Sequence, residues 1–152
     1  GALVRKFVEA QLEYELEKDR LIRSELDISE AERPSVECWG TGSPRREFMY
    51  VDDAAEGIVQ ALEKYEDSDE PLNIGTGNDI TIKELVEHII NVVGYEGEVF
   101  WNEDKPDGQL KKLLSVSKMR KFVQVNSLDI EDGLQKTVEW YINNKQEADA
   151  RR

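Results

Sequence analysis

The chain has 152 residues, enough for one domain with its own core. Charged residues make up 35% of it and apolar residues 39%, with a net charge of −13. That field repels nucleic acid and anionic membrane surfaces and excludes both as expected partners, so an anionic ligand needs a local basic cluster.

The single cysteine, Cys38, rules out an intrachain disulfide and suits a reducing, cytoplasmic setting. No apolar run approaches the length of a membrane span.

In chain order, Ala2 to about Leu26 reads as a helix. Leu3, Phe7, Ala10 and Tyr14 lie on one face, and a heavily charged second half is supported by i,i+4 pairs. Asp27 to Ser35 is a polar connection. Val36 and Cys38 alternate with Glu37 and Trp39 as in a half-buried strand. Gly40-Thr41-Gly42-Ser43-Pro44 supplies turn chemistry, because glycine accepts positive φ and proline fixes it. A short strand is expected at Phe48 to Asp52, with Asp52 or Asp53 capping the next helix.

That helix, Ala54 to Tyr65, carries a broad apolar face including Ile58, Val59 and Leu62, and Asp53 with Glu56 resembles a capping box. An acidic loop from Glu66 to Pro71 follows, then a strand at Leu72-Asn73-Ile74 running into Gly75-Thr76-Gly77. Thr81 and Glu84 form a better capping box for a helix whose stripe is Leu85, Val86, Ile89, Ile90 and Val93, with Gly94 at its end. Glu98 to Trp101 is a strand, Lys105-Pro106-Asp107-Gly108 a turn, and Ser117 caps a short helix through Phe122. Ile130 to Asn144 is a last amphipathic helix with Ile130, Leu134, Val138 (or Thr137) and Tyr141 on its face. Residues 146–152 read as a frayed tail. Strands alternating with helices argue an α/β fold, with fewer strands than a doubly wound sheet.

Neither Gly-x-Gly turn completes a dinucleotide fingerprint: Arg45 and Ile80 stand where the third glycine belongs. Two Tyr-x-x-x-Lys pairs occur, Tyr14 with Lys18 and Tyr141 with Lys145, both on charged helices; neither is expected to be catalytic. His88 is the only histidine and is read as structural, Cys38 as a core hydrophobe, and no His/Cys cluster suggests a metal. What remains is a ligand-shaped set. Arg46 offers a fork of donors for a diphosphate, Trp39 a flat wall, Lys6 a charge and Asp107 an acceptor for sugar hydroxyls or a base amine. Each has a plainer reading: Trp39 in the core, Lys6 as a surface lysine, Asp107 as a turn former.

The words Trp39-Gly40-Thr41-Gly42, Arg46-Glu47-Phe48 and Tyr50-Val51-Asp52-Asp53 resemble the GDP-L-fucose synthases. So do Asn73-Ile74-Gly75-Thr76-Gly77, Thr81 to Leu85, Val92 to Gly97 and Lys105-Pro106-Asp107-Gly108. These enzymes are extended short-chain dehydrogenase/reductases of the NAD-dependent epimerase/dehydratase family.

The resemblance implies an α/β carboxyl-terminal, substrate-binding portion without the main Rossmann core. Residues 1–35 would be a helix and charged connection, 36–145 a sugar-nucleotide domain and 146–152 a tail. It further implies substrate contacts at Lys6, Trp39, Arg46 and Asp107, and GDP-4-keto-6-deoxymannose and GDP-L-fucose as ligands. NADP would be the cofactor of the full-length enzyme, bound outside this chain, and the full-length enzyme would be a homodimer. The family's Ser-Tyr-Lys catalytic set has no counterpart here, so the isolated chain is expected to be inactive. The alternative is a non-catalytic interaction domain derived from such an enzyme, with the acidic surface and the 11–35 segment as its working parts.

Overall fold

The computed structural model describes residues 2–66 and 70–150. Part of the acidic loop, residues 67–69, and the last two residues of the tail lie outside the described residues. Among the described residues five α-helices are joined by short strands: α1 (Ala2–Arg23), β1 (Ser35–Trp39), β2 (Arg45–Arg46), α2 (Val51–Lys64), β3 (Ile80–Thr81), α3 (Ile82–Val93), β4 (Glu98–Asn102), β5 (Lys111–Lys112), α4 (Ile130–Asn143) and α5 (Lys145–Ala150).

The main core is built where α1, α3 and α4 meet the inner face of β1. Phe7, Val8, Cys38 and Ile89 are its most deeply buried side chains. Burying a side chain such as Phe7 is worth about 1.5–3 kcal/mol. Phe7 meets the Tyr95 ring edge-on, with centroids 5.0 Å apart. The Tyr95 hydroxyl donates to the carbonyls of Pro34 and Glu98, which ties the entries of β1 and β4 together. The buried stripe of α1 is Val4, Phe7, Val8 and Gln11, rotated from the expected face through Leu3, Ala10 and Tyr14. Gln11 is satisfied there: it donates to Glu15 and accepts from the Glu96 amide.

β1 and β4 form a parallel pair, with Val36 opposite Val99 and Cys38 opposite Trp101. The alternation of β1 is as expected, Val36 and Cys38 buried and Trp39 exposed. The second sheet is β3-β2-β5, with β2 antiparallel to β3 and parallel to β5.

Several local expectations change. The strand after the glycine turn is Arg45–Arg46, and α2 starts at Val51, leaving Glu47 to Tyr50 without a ladder. Tyr50 is the residue before α2 and makes no side-chain cap. Asp53 instead accepts from the Leu128 amide and tethers the approach to α4. Leu72 to Ile74 alternates like a strand but is not assigned as one. Leu72 and Ile74 pack on a second cluster of Val116, Met119 and Val123. A short 3-10 turn, Met119–Lys121, stands in place of the helix expected from Ser117. The stretch read as a frayed tail forms α5 through Ala150, joined to α4 by the Tyr141 hydroxyl, which donates to Asp149, and braced internally by Lys145 with Asp149.

The expected caps of α3 are both present: Thr81 and Glu84 exchange hydrogen bonds, and Gly94 closes the helix in the left-handed region at φ 67°. Asp129 caps α4 by accepting from the Asp132 amide.

Helix α2 is inverted for a surface helix. Its small residue Gly57 is buried against Ile74. Its large residues Val51 (69% exposed), Ile58 (52%), Val59 (54%) and Leu62 (81%) face outward. They recur at helical spacing and form one continuous apolar stripe.

Candidate functional site

The exit of β1 carries Trp39, which is 64% exposed and therefore not a core residue. The Lys105 ammonium sits 5.5 Å from its ring centroid. The turn that follows is held by Asp107: one carboxylate oxygen accepts from the Thr41 amide at 2.7 Å, the other from the Thr41 hydroxyl at 2.8 Å. Asp107 thus clamps the 40–43 turn to the 105–108 turn. Lys6 donates to the Glu37 carbonyl on β1 at 3.0 Å, two residues before Trp39. Lys6, Trp39 and Asp107 are thereby gathered around β1 and its exit.

The adjacent arginines are put to different uses. Arg45 is anchored: its Nε donates to Asp79 Oδ1 and its Nη2 to the Asp79 carbonyl, both at 2.8 Å. The Lys111 ammonium is 3.1 Å from the same carboxylate, whose side chain is 8% exposed. Hydrogen bonds from Arg45 and then Lys111 hold the Asp79 carboxyl below its ordinary range. This cluster staples β2, β3 and β5.

Arg46 faces the other way, into a cavity of about 200 Å³ that it lines with Phe48, Thr76, Asn78 and Ile80. Its one hydrogen bond among the described residues is from Nη1 to the Arg45 carbonyl at 2.7 Å, and no carboxylate there pairs with it. Lys6, Trp39 and Asp107 are not in this cavity's wall.

A larger apolar cavity of about 360 Å³ shares Phe48, Leu128, Asp129 and Ile130 with it and extends to Leu3, Ile89 and Leu134. Nothing in the local pattern of 128–134 marks those residues as cavity-lining; they read as a helix start.

Glu47 was also not singled out in the sequence. One of its carboxylate oxygens accepts from the Gly77 amide at 2.6 Å and the Thr76 hydroxyl at 3.1 Å. The other accepts from the Leu114 amide at 3.3 Å. The Gly75-Thr76-Gly77 turn is therefore already filled by an anion and does not suit a dinucleotide pyrophosphate. The Gly40-Thr41-Gly42 turn runs from strand to strand and is gripped by Asp107, so it lacks the helix N-terminus that such a group needs.

Tyr141 is buried, and its hydroxyl donates to Glu9 at 2.8 Å. Burial, with the neighbouring carboxylates of Glu9 and Asp149, pushes the phenol up to about 12, opposite to what a general base requires. Lys18 lies 4.7 Å from the Tyr14 ring centroid and pairs with Glu15 and Glu96, an arrangement that braces helix α1. His88 meets Glu131 at 3.0 Å and links α3 to α4. Burial raises the Cys38 thiol, as fits a core residue. Among the described residues no group of three or more His, Cys, Asp or Glu could hold a metal. No helix there is long and apolar enough to cross a membrane.

Residues 14–75 match the Epimerase profile, described as the NAD dependent epimerase/dehydratase family. The chain is 44% identical over 109 residues to GDP-L-fucose synthase 1 of Arabidopsis thaliana, a match covering 72% of this chain and 33% of that protein. A GDP-6-OMe-4-keto-L-xylo-heptose reductase from C. jejuni superposes with a TM-score of 0.75 at 31% identity, over 94% of this chain and 47% of that one. A GDP-mannoheptose C4 reductase from Campylobacter jejuni with NADP bound does so with a TM-score of 0.67 at 30% identity, over 92% and 45%. The chain thus spans 33–38% of the length of the first curated relatives that it matches. Over the stretches matched, the chain is similar to the NAD-dependent epimerase/dehydratase family and is GDP-L-fucose synthase-like within it.

Proposed function

We propose that this chain is the carboxyl-terminal, GDP-sugar-binding portion of a GDP-L-fucose synthase-like epimerase/reductase. The observation that carries this reading is Arg46: a guanidinium without a carboxylate partner among the described residues, aimed into a cavity walled by Thr76 and Asn78. An arginine fork there suits the two phosphates of GDP. The adjoining apolar cavity suits a ring. Trp39, Lys6 and Lys105 lie outside that cavity, around β1 and its exit, and in this reading contact the remainder of the ligand, while Asp107 keeps the turn after Trp39 in place.

NADP(H) and the groups that reduce the keto-sugar belong, in this reading, to the part of such an enzyme that this chain does not match. The outward stripe of α2 supports it, since four large apolar residues on one helix face call for a covering layer. The isolated chain then binds GDP weakly and does not turn over substrate.

Calorimetry with GDP tests this. Binding that weakens at least about tenfold in Arg46→Ala supports it, that being the scale of losing one charged hydrogen-bonding partner. No heat at millimolar GDP removes it. The second reading, an interaction module on the same scaffold, draws on the same α2 stripe and gains if GDP fails to bind.

A further inference from the structure

Glu47 stands beside Arg46 in the sequence, yet its carboxylate points to the opposite task. It reaches away from β2 and ties together segments far apart in the chain: the 75–77 turn through Gly77 and Thr76, and the segment after β5 through Leu114. Two of its donors are backbone amides, that of Gly77 in the turn and that of Leu114 beyond β5. The approach leaves residue 75 no room for a side chain while the carboxylate stays where it is. A Cβ built on Gly75 would stand 2.5 Å from the Glu47 carboxylate oxygen and 2.9 Å from its carboxyl carbon. Gly77 adopts φ 78°, the left-handed conformation in which its amide turns toward that oxygen.

Thr76 and Asn78, the residues on either side of Gly77, form the wall of the cavity that Arg46 enters. One dipeptide, Arg46-Glu47, therefore supplies both the charge in that cavity and the brace for its wall. Without the carboxylate the 75–77 turn keeps only the Arg45–Asp79 bonds and the β2–β3 ladder that follow it, while Arg46 keeps its own hydrogen bond to the Arg45 carbonyl.

We propose that Glu47 is a positioning residue for the anion site at Arg46: it fixes the Thr76–Asn78 wall at the spacing a diphosphate needs. This rests on the reading that the Arg46 cavity receives GDP. The step from brace to affinity is geometric, because a small displacement of one wall breaks hydrogen bonds that must form simultaneously.

The test compares Glu47→Gln, Glu47→Asp and Gly75→Ala with the unsubstituted chain. GDP and inorganic pyrophosphate affinities are measured by calorimetry, well below each variant's melting temperature, with amide hydrogen exchange at Gly77 and Leu114. Glutamine places an NH₂ group against one of the two amides, aspartate falls one methylene short, and alanine at 75 pushes the carboxylate out from the other side. The expected result is faster exchange at both amides and about tenfold weaker GDP binding in Glu47→Gln and Gly75→Ala, with a smaller loss in Glu47→Asp. A purely structural brace would lower the melting temperature and leave affinity per folded molecule unchanged, which overturns the proposal. Should Glu47→Gln not fold, Gly75→Ala alone decides by the same criterion. If the unsubstituted chain binds neither ligand, the GDP reading itself fails and this proposal falls with it; unchanged affinity in the variants removes this proposal only.

Discussion

Replacing Asp107 by alanine separates a loop clamp from a ligand contact. The structure assigns two hydrogen bonds to this carboxylate, from the Thr41 amide at 2.7 Å and the Thr41 hydroxyl at 2.8 Å. Thr41 is exposed, so water replaces the lost partners and each bond is worth about 0.5–1.5 kcal/mol. The sum is about 1–3 kcal/mol, which for a chain of this size lowers the melting temperature by about 3–10 °C. A thermal melt checks the total, and a cycle with Thr41→Val isolates the hydroxyl bond as a coupling of about 0.5–1.5 kcal/mol. The outcome that refutes the clamp is a melting temperature unchanged within error together with lost GDP affinity. That pattern would make Asp107 a direct acceptor for the ligand.

Gly42→Ala is expected to cost about 2–5 kcal/mol, the sum of left-handed strain and overpacking. Its φ is 74°, and an added Cβ would stand 2.7 Å from the Trp101 ring; the urea midpoint reads this cost. Asp79 makes the fold sensitive to acid. Its carboxyl is held below the ordinary 3.8, so its contribution is complete above that pH and declines as pH falls from 3.8 through the lowered folded value. Asp79→Asn should flatten that limb of a stability-versus-pH curve and leave the neutral and alkaline limbs parallel. Leu62→Ser, at a side chain 81% exposed, should shift stability by less than about 0.5 kcal/mol while reducing binding of a hydrophobic dye. A loss of several kcal/mol would mean that the α2 stripe is covered in the isolated chain.

What the sequence made legible was what its own neighbours determine. Thr81 and Glu84 lie three residues apart and cap each other, so the start of α3 could be read locally. Val36 and Cys38 show the strand period because one face of β1 meets a helix layer. The pairing of β2 with β3 and β5 was not legible. It depends on Asp79 receiving Arg45 and Lys111 from distant segments, and two-residue ladders carry no period.

Amphipathicity identified α2 but not its orientation. A helix with glycine and alanine on one side and Leu62, Ile58 and Val59 on the other is expected to bury the larger side, whereas here it buries the smaller.

In the site, Trp39 and Arg46 could be singled out as a ring wall and a donor fork, but the division of labour between Arg45 and Arg46 could not. Only a partner 34 residues away, Asp79, tells them apart. Glu47 gave one overlooked signal: an acid beside an arginine, in a chain whose Gly-Thr-Gly turn needs an acceptor for its amides.

The most direct measurement is a crystal structure of this chain with GDP. The account predicts the diphosphate in the cavity between Arg46 and the Thr76–Asn78 wall, with the Arg46 guanidinium turned from the Arg45 carbonyl onto phosphate oxygens. Nucleotide bound elsewhere, with Arg46 still on that carbonyl and the cavity empty, would contradict it.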